Sequence, residues 1–262
     1  MRVRREITAV ILIVTTAIAL PATAHAETFN VAVSPSVSAG KVITGSGQNL
    51  PSLLSPTPWD IGSYSAREVS EYYASGAASA DQSSVTHAAL KWTQRWVEQA
   101  CGSKTPKRVR ACKAAAVFDF DDTLVSSFPV LASNPKPFEF YPVLDAASIR
   151  DCITPAIPAT QALFNSLKRM GVTPFVITGR GEDERPAIEG CLSKLGYTGY
   201  GALLLKPDGT SQPASRLKAN HRKELIEQGW KIGPSTGDQV SDMSYGYLTH
   251  GFLLPNVMYF IP

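Results

Sequence analysis

The sequence predicts an α/β fold, in which a doubly wound, Rossmann-like parallel sheet carries helices on both faces and a small cap insertion. Two short apolar runs, at residues 114–118 and 173–178, are typical of strands buried on both faces. Beyond residue 158, predicted helices alternate with short apolar segments. Because such alternation builds right-handed βαβ units, it predicts a parallel sheet covered by helices.

The first 26 residues have the pattern of a secretory signal peptide. A basic start (residues 1–5) precedes an apolar stretch (residues 7–20), and Ala24-His25-Ala26 is a small-x-small cleavage site. The apolar stretch is too short for a comfortable membrane span. We therefore expect cleavage after Ala26 and a secreted mature chain, either periplasmic or extracellular.

The expected mature chain is nearly neutral. The sequence has 25 basic and 22 acidic residues, and the signal peptide contains three of the arginines and one of the glutamates, which leaves a net charge of about +1. Such a balance offers no electrostatic attraction for nucleic acid or for a membrane surface. The remaining length of roughly 236 residues suits one domain with a sizeable core.

An arm is predicted to precede the domain. Residues 27–59 are rich in Ser, Pro, Gly and Val and show little periodicity, which indicates an extended or flexible segment. Helices follow at residues 67–74 and 83–100. Trp92 and Trp96 share the apolar face of the second helix, where core packing against the sheet is favoured over a ligand platform.

The domain itself is expected over residues 60–262, with a cap insertion at about 125–158. Prolines punctuate this section, and its aromatic residues are Phe128, Phe138, Phe140 and Tyr141. Long inserted loops in compact domains are usually functional lids or disordered, and the aromatics argue against disorder. We therefore expect a small cap over the end of the strand at 114–118. The alternative is that the aromatics simply pack against the domain.

Regular elements fill the rest of the domain. Helices are predicted at residues 159–170, 184–195 and 217–228. Strands are predicted at residues 173–178 and 202–205, with a weaker one around 230–232 and a last short one at 257–262. A polar turn at residues 234–242 follows the weaker strand. This order supplies the alternation on which the predicted sheet depends.

All four cysteines lie in the expected mature chain. An even number in an exported protein indicates disulfides, and no CxxC or Cys/His cluster suggests zinc. Cys101 and Cys112 flank a polar loop that a local bridge would staple, and Cys152 would then pair with Cys191. Three connectivities are possible, and the sequence does not choose among them.

The stretch AAAVFDFDDTL at residues 114–124 ends a buried strand in Asp119, Asp121 and Asp122, followed by Thr123. Open α/β sheets bind ligands at the carboxyl ends of their strands. Carboxylates so close together repel one another, so a bound cation or a shared proton is expected. For this stretch alone an acidic turn is an equally good interpretation, because Asp is common in turns.

Further polar residues follow the later predicted strands: Thr178, then Lys218, then Asp238 and Asp242. In a doubly wound sheet such strand ends converge. The combined set suits attack on a phosphate ester. One carboxylate can form an acyl-phosphate, and a second acid can protonate the leaving oxygen and later activate water. A hydroxyl and a lysine can hold phosphate oxygens, while other carboxylates retain Mg²⁺.

The chain resembles the haloacid dehalogenase (HAD) superfamily, in the subfamily IIIB acid phosphatase branch of bacterial class B-like acid phosphatases and plant vegetative storage proteins. FDFDDT matches the DxDxT motif, and VITGR matches the second motif. SRLKANHRKEL resembles YKSxxRxxL, and STGDQVSDM resembles GDQWSDL. The similarity runs from DIGSY near Asp60 to LPNVMYFIP at the C terminus. DxDxT alone is a weak signal, whereas four motifs in order are specific, and they imply a HAD-type fold.

The resemblance implies a role for each matched residue. Asp119 would be the nucleophile that becomes phosphorylated, and Asp121 would be the general acid and base. Thr178, Gly179 and Lys218 would bind phosphate, with Lys218 also countering the charge of Asp119.

The resemblance also implies a Mg²⁺ site. Its ligands would be Asp119, the backbone carbonyl of Asp121, and Asp238. Asp242 would support the metal through water or orient Lys218.

Other residues near the motifs have less direct roles. Arg180 would contact phosphate, or else only cap the following helix. Thr123 would stabilise the turn, and Asp122 would be structural. Lys206 is a competing candidate for the lysine role because it directly follows a strand, although its placement fits the branch less well than Lys218 does.

The chain departs from the branch at several positions beside these motifs. Leu217 replaces the usual Tyr before the motif lysine, Val240 replaces a Trp, and Pro234-Ser235 differs from the more usual Gly-Asn. The ionisable positions are retained, so the changes concern pocket shape and substrate preference.

These features predict a secreted, Mg²⁺-dependent acid phosphatase acting on small-molecule phosphate monoesters through a phosphoaspartyl intermediate. A dehalogenase is a neighbouring alternative, but Asp121 favours phosphate chemistry because an alkoxide leaves poorly without protonation. A non-catalytic storage or binding protein on the same fold is the other alternative, since fold alone does not fix function.

Overall fold

In the computed structural model, which describes residues 27–30, 42–49, 61 and 64–261, the chain forms a seven-stranded sheet in the order β1-β2-β7-β6-β3-β4-β5. The strands are β1 (Glu27–Asn30), β2 (Val42–Gly45), β3 (Ala114–Phe118), β4 (Thr173–Gly181), β5 (Leu203–Lys206), β6 (Lys231–Gly237) and β7 (His250–Leu253). β1 pairs antiparallel with β2 at one edge, and all other pairings are parallel. The six parallel strands confirm the predicted fold class.

Two pieces of the predicted arm belong to this sheet. β1 and β2 extend it beyond β7, so the described parts of residues 27–59 are extended and hydrogen-bonded to the domain. The predicted signal peptide and the rest of the arm lie outside the described residues.

The helices of the described chain flank this sheet. They are α1 (Ala66–Ala74), α2 (Ala77–Cys101), α3 (Pro106–Ala111), α4 (Phe128–Ser133), α5 (Pro142–Arg150), α6 (Pro158–Arg169), α7 (Arg185–Lys194) and α8 (Ala214–Glu227). α8 begins about one turn earlier than predicted, so Lys218 lies in its second turn rather than at its first residues. In the described residues, no helix has both the length and the apolar character needed to cross a bilayer.

The core lies on both faces of β3, whose five residues are all buried. Ala114, Ala116 and Phe118 pack with residues of α2, α6 and α7, whereas Ala115 and Val117 pack with Leu225 of α8 on the other face. The period of two in a strand explains this division, because successive side chains point to opposite faces. The doubly wound arrangement therefore follows from one short, fully apolar strand.

The aromatic face of α2 packs against the sheet, as predicted. Trp92 and Trp96 are stacked with ring centroids 5.9 Å apart, and Trp96 is buried. A Cβ atom at Gly233 would lie 2.6 Å from the Trp96 ring, so β6 must carry glycine where the indole crosses it.

β6 is longer than the weak strand predicted around residues 230–232. It runs from Lys231 to Gly237 and is buried from its second residue onward, although Gly233 and Pro234 do not resemble a central strand. The register between β3 and β6 shifts at Gly233 and Pro234, which therefore lie in an irregular part of the ladder. Proline is tolerated at such a bulge because its position does not need to donate a backbone hydrogen bond to the neighbouring strand.

The predicted strand at residues 257–262 is wrong. The last strand is β7, and the described part of the C-terminal segment is irregular. Its backbone N–H groups at Met258 and Tyr259 are satisfied by the Asn256 side chain rather than by a neighbouring strand. Val257, Met258 and Tyr259 are nevertheless buried, in a cluster with the cap. The apolar composition of this segment correctly indicated that it is buried, but it did not indicate that its backbone lacks the hydrogen bonds of a strand.

The section predicted as a cap insertion contains α4 and α5. Phe128 stacks on Tyr73 of α1 with ring centroids 4.5 Å apart, and Phe138 is buried in the cluster with the C-terminal segment. Phe140 lines the cavity at the end of the sheet. The aromatic residues of this section thus divide between packing and lining the cavity.

Both disulfides pair as expected. Cys101–Cys112 has a Cα–Cα distance of 5.6 Å, and Cys152–Cys191 has one of 5.2 Å. The first closes the loop between α2 and β3, and the second joins the end of α5 to α7. The second bridge therefore fastens the cap section to the domain across 39 residues of sequence.

The two bridges should differ in their contribution to stability. Loop-closure entropy predicts about 4 kcal/mol for the longer loop and about 3 kcal/mol for the shorter one. We expect the double variant Cys152→Ser/Cys191→Ser to lower the free energy of unfolding more than Cys101→Ser/Cys112→Ser, measured by urea denaturation. The reverse order would contradict the entropic explanation.

Candidate active site

The carboxyl ends of the central strands open into one cavity of about 460 Å³. The cavity is lined by the predicted site residues Asp119, Asp121, Thr178, Gly179, Arg180, Lys218 and Asp238. The cap and the C-terminal segment add Leu131, Phe140, Asp145, Tyr259 and Ile261. Residues far apart in the sequence therefore converge, as expected at the carboxyl edge of an open α/β sheet.

Lys218 joins two carboxylates beneath this cavity. Its Nζ donates to Asp119 Oδ1 at 2.6 Å and to Asp242 Oδ1 at 2.5 Å. All three side chains are buried. Burial would lower the pKa of Lys218, but the two carboxylates raise it above its usual value, so the ammonium stays charged.

Asp119 directly follows β3, where its backbone N–H donates to Thr236 O of β6 at 3.0 Å. Burial raises the pKa of its carboxyl well above the usual range, Lys218 lowers it, and Asp242 raises it again. An ionised Asp119 therefore depends on neighbouring positive charge.

Asp238 follows β6 and is held by side-chain donors. Its Oδ2 accepts from Asn256 Nδ2 at 2.7 Å and from Gln239 Nε2 at 2.6 Å. Thr123 Oγ1 lies 3.4 Å from its Oδ1. Burial, together with the charges of Asp242 and other nearby acids, raises the pKa of Asp238 to about 8. The hydrogen bonds fix the orientation of the carboxylate, while burial makes its charge costly.

These carboxylates fit a divalent cation. Asp119, Asp238 and Asp242 each offer one oxygen, and the three oxygens lie within 4.8 Å of one another. All three residues are buried, and Lys218 compensates only part of their charge. Hard oxygen ligands suit Mg²⁺ and similar cations. The Asp121 carboxylate is not part of this trio.

The Asp121 carboxylate instead binds Arg180. The guanidinium donates from Nε to Asp121 Oδ2 at 2.8 Å and from NH2 to Oδ1 at 2.9 Å. NH2 also donates to Asp145 of α5 at 2.9 Å, and NH1 donates to Glu184 at 2.7 Å. Arg180, predicted from the sequence to contact phosphate or cap a helix, is thus surrounded by three carboxylates.

Thr178 and Gly179 lie at the cavity wall beside Arg180. Thr178 is buried, and its Oγ1 accepts from the backbone N–H of Arg180 at 3.2 Å. Gly179 brings backbone to the wall, and a Cβ there would lie 3.5 Å from the Cβ of Ala214 at the start of α8. Both positions present small polar groups to the cavity.

The comparison with known families agrees with this geometry. A family model described as the HAD superfamily, subfamily IIIB (acid phosphatase), matches residues 56–262, which contain every site residue described above. The chain belongs to this acid phosphatase subfamily.

Several curated relatives of this subfamily IIIB member are plant proteins. Vegetative storage protein 1 of Arabidopsis thaliana is 30% identical over 152 residues, 56% of this chain and 55% of the relative. Acid phosphatase 1 of Solanum lycopersicum is 28% identical over 148 residues, which cover 55% of this chain and 58% of the relative. The stem 28 kDa glycoprotein of Glycine max is 33% identical over 154 residues, which cover 57% of this chain and 61% of the relative. The match spans little more than half the length of the first two relatives.

Solved structures support the fold. The class C acid phosphatase of Bacillus anthracis, solved with tungstate bound, has a TM-score of 0.59 with 18% identity, covering 74% of this chain and 85% of that chain. A second structure of the same enzyme has a TM-score of 0.57 with 19% identity. At this identity the likeness shows a shared HAD-type architecture.

In this subfamily IIIB chain Asp122 belongs to the scaffold. It has a positive φ of 49°, and its carboxylate accepts from the Ser127 backbone N–H at 2.8 Å and from Tyr259 Oη at 2.6 Å. It therefore ties the turn after β3 to the cap section and to the C-terminal segment. The structural role expected for Asp122 agrees with these contacts.

Arg222 is a structural residue to which the sequence analysis assigned no role. It is fully buried and donates to three backbone carbonyls, those of Asp242, Ser244 and Gly246, at 2.5 to 2.9 Å. Burial lowers the pKa of Arg222 to about 10. The motif SRLKANHRKEL contains this arginine, so its matched position in the motif was the signal available in the sequence.

Three further residues shape the site but were not identified from the sequence, either because they lie outside the recognised motifs or because their side chains are not of a type that takes part in catalysis. Asp145 lies in the cap, and Asn256 lies in the C-terminal segment, yet both bind site residues directly. Gly237 allows the Asp242 carboxylate to pass over the end of β6, because a Cβ there would overlap that carboxylate. No local pattern reveals the contacts of Asp145 and Asn256, since each joins separate segments of the chain.

Mg²⁺ should stabilise the protein in a pH-dependent way. The folded pKa of Asp238, about 8, exceeds its ordinary value of about 4, so metal-free stability is lost as pH rises through that interval. Mg²⁺ competes with the proton on this carboxyl, so its stabilisation should be larger at about pH 8.5 than at about pH 6. A Mg²⁺ concentration of about 100 times its Kd should add about 2.7 kcal/mol to the free energy of unfolding.

Thermal unfolding with and without Mg²⁺ measures this effect. Asp238→Asn should abolish the increase in melting temperature, whereas Asp208→Asn, an exposed acid outside the cavity, should retain it. The cation site is misassigned if Asp238→Asn keeps the full increase, or if the increase grows as pH falls.

Proposed function

We propose that this chain hydrolyses phosphate monoesters through a phosphoaspartyl intermediate on Asp119. The observation that carries the proposal is the convergence on one cavity of Asp119, its partner Lys218 and the second acid Asp121. The family membership and the Solanum lycopersicum relative named acid phosphatase 1 support it.

Asp119 acts as the nucleophile. Lys218 binds its Oδ1, and in the described residues no hydrogen bond is made by Oδ2, which is the oxygen that attacks phosphorus. The new Asp119–phosphorus bond forms as the bond to the leaving oxygen breaks, which gives an acyl-phosphate. Thr178 and the Gly179 backbone hold the non-bridging oxygens of the phosphoryl group that is transferred.

Asp121 supplies and recovers the proton. In the first step its protonated carboxyl donates a proton to the leaving oxygen. In the second step its carboxylate removes a proton from the water that attacks phosphorus, and the bond between the Asp119 oxygen and phosphorus breaks to release inorganic phosphate. Arg180 holds both oxygens of the Asp121 carboxylate, so the side chain has a fixed direction. We assign Arg180 to orienting Asp121, in place of the phosphate contact expected from the sequence.

The cation for this site is Mg²⁺ or another hard divalent ion. Asp119, Asp238 and the Asp121 backbone carbonyl would hold it, with Asp242 supporting the site and orienting Lys218. When bound, it would offset the repulsion between the phosphate dianion and the Asp119 carboxylate.

The mature chain acts outside the cytoplasm. The two disulfides favour an oxidising compartment, as does the signal-peptide pattern of residues 1–26. The substrate is a small-molecule phosphate ester, because the described cavity is of a size that suits such ligands.

Hydrolysis of an aryl phosphate tests the central claim. The purified mature chain should release phosphate with Mg²⁺, and a chelator should abolish the activity. Asp119→Asn should lower kcat by about three orders of magnitude or more, because it removes the nucleophile. Asp208→Asn serves as the control for loss of an exposed acid.

The same assay separates the alternative functions. A folded wild-type chain that is inactive with every divalent metal from acidic to neutral pH would indicate a storage or binding protein. Release of halide from a haloacid without release of phosphate would indicate a dehalogenase. Full activity in Asp119→Asn would refute the assigned nucleophile.

The assigned role of Arg180 predicts a dependence on the leaving group. Arg180→Met should lower kcat for an alkyl phosphate about 100-fold, because that leaving group needs the proton from Asp121. It should have little effect on 4-nitrophenyl phosphate, whose leaving group departs without protonation. Steady-state kinetics of both substrates measure the difference.

Arg185→Met is the matched control, because Arg185 also pairs with two glutamates, Glu182 and Glu189, but does not line the cavity. It should lower neither rate selectively. If Arg180→Met instead lowers both rates equally and weakens inhibition by inorganic phosphate, then Arg180 binds the transferred group.

A further inference from the structure

One basic side chain that lines the cavity has no part in the proposed mechanism. Its basic lining residues are Arg180, Lys206 and Lys218. Arg180 is surrounded by three carboxylates, and Lys218 binds two. The Lys206 side chain makes no hydrogen bond or ion pair with any residue that the structure describes, and the residue is half-buried. Its charge is therefore available to a ligand.

The sheet register separates Lys206 from the nucleophile. Lys206 ends β5 and pairs with Gly181 of β4, whereas Phe118, just before Asp119, pairs with Val176 of β4. Asp119 is level with Ile177 of β4, which pairs with Leu204 of β5, so Lys206 lies two strands away and two residues further along its strand. With strand spacings of about 4.8 Å and rises of about 3.3 Å per residue, the Cα atoms of Asp119 and Lys206 are roughly 12 Å apart.

This separation places Lys206 to one side of the transferred phosphate. A lysine side chain extends about 6 Å, so the ammonium still lies several ångströms from the point of attack on phosphorus. Lys218 already occupies the position beside Asp119. Lys206 lines the same cavity on a different strand from the nucleophile.

We propose that Lys206 forms a second anion-binding position, which selects phosphate monoesters whose leaving group carries a carboxylate or a second phosphate. This inference rests on the proposed phosphatase function and adds a substrate class to it. The apolar lining residues Leu131, Phe140 and Ile261 would contact the body of the leaving group between its two anionic ends.

None of the acids that line the described cavity forms an ion pair with Lys206. Asp121, Asp145 and Glu184 bind Arg180, Asp119 binds Lys218, and Asp238 accepts from two amide side chains. A substrate anion beside Lys206 would form a charge-assisted hydrogen bond in a partly desolvated cavity, where such bonds are stronger than at the surface.

A pair of matched substrates tests this position. 4-Carboxyphenyl phosphate and 4-carbamoylphenyl phosphate have nearly the same shape, but only the first carries a second negative charge. The wild type should prefer the carboxylate by about tenfold in kcat/KM, and the preference should fall with added salt. Lys206→Met should bring the ratio close to one, and Lys206→Arg should keep most of it.

Two controls make the result specific. Lys107→Met removes an exposed lysine of α3 outside the cavity and should leave the ratio at the wild-type value. The inhibition constant of inorganic phosphate should be the same in Lys206→Met as in the wild type, because phosphate alone does not reach this position.

Each other outcome overturns the inference. A wild type with no preference, or a preference that survives in Lys206→Met, refutes the second position while leaving the phosphatase function intact. A parallel loss for both substrates with weaker phosphate inhibition would mean that Lys206 contacts the transferred phosphate. Inactivity of the wild type toward both substrates would remove the proposed function and this inference with it.

Discussion

The site depends on one buried electrostatic arrangement, in which Lys218 bridges Asp119 and Asp242 beneath the cavity. Burying charged groups is costly, and such a cluster persists only where good geometry and further hydrogen bonds compensate. α8 supplies that geometry, because Lys218 and Arg222 are four residues apart and so share one face of the helix. Arg222 holds the backbone of the loop that carries Asp242, while Lys218 holds its side chain.

The surrounding segments restrain the carboxylates of the site. The C-terminal segment reaches Asp238 through Asn256 and reaches Asp122 through Tyr259. The cap section reaches Arg180 through Asp145, and a disulfide fastens the end of the same section to α7. Hydrogen bonds from surrounding residues fix the orientation of a side chain that binds a metal or a substrate. These contacts therefore set the directions in which the site carboxylates point.

The charged groups of the cavity form three sets. Lys218 balances part of the charge of the carboxylate trio. Arg180 pairs with Asp121, Asp145 and Glu184, so this set keeps excess negative charge. The Lys206 side chain lines the cavity and binds none of the described residues. The proposed roles assign the first two sets to the chemistry and Lys206 to the selection of the substrate.

The sequence by itself determined the α/β class, most of the helices and strands, and the ordered motifs around Asp119, Thr178, Lys218 and Asp238, while the structure chose the disulfide pairing among the three possible connectivities. These features are local, because hydrophobic periodicity and motif spacing are written along the chain. Tertiary structure decided that residues 257–261 form no strand, that β6 passes through Pro234, and that Arg180 binds Asp121. Each of these depends on which distant group satisfies a buried polar atom, and sequence spacing does not contain that information.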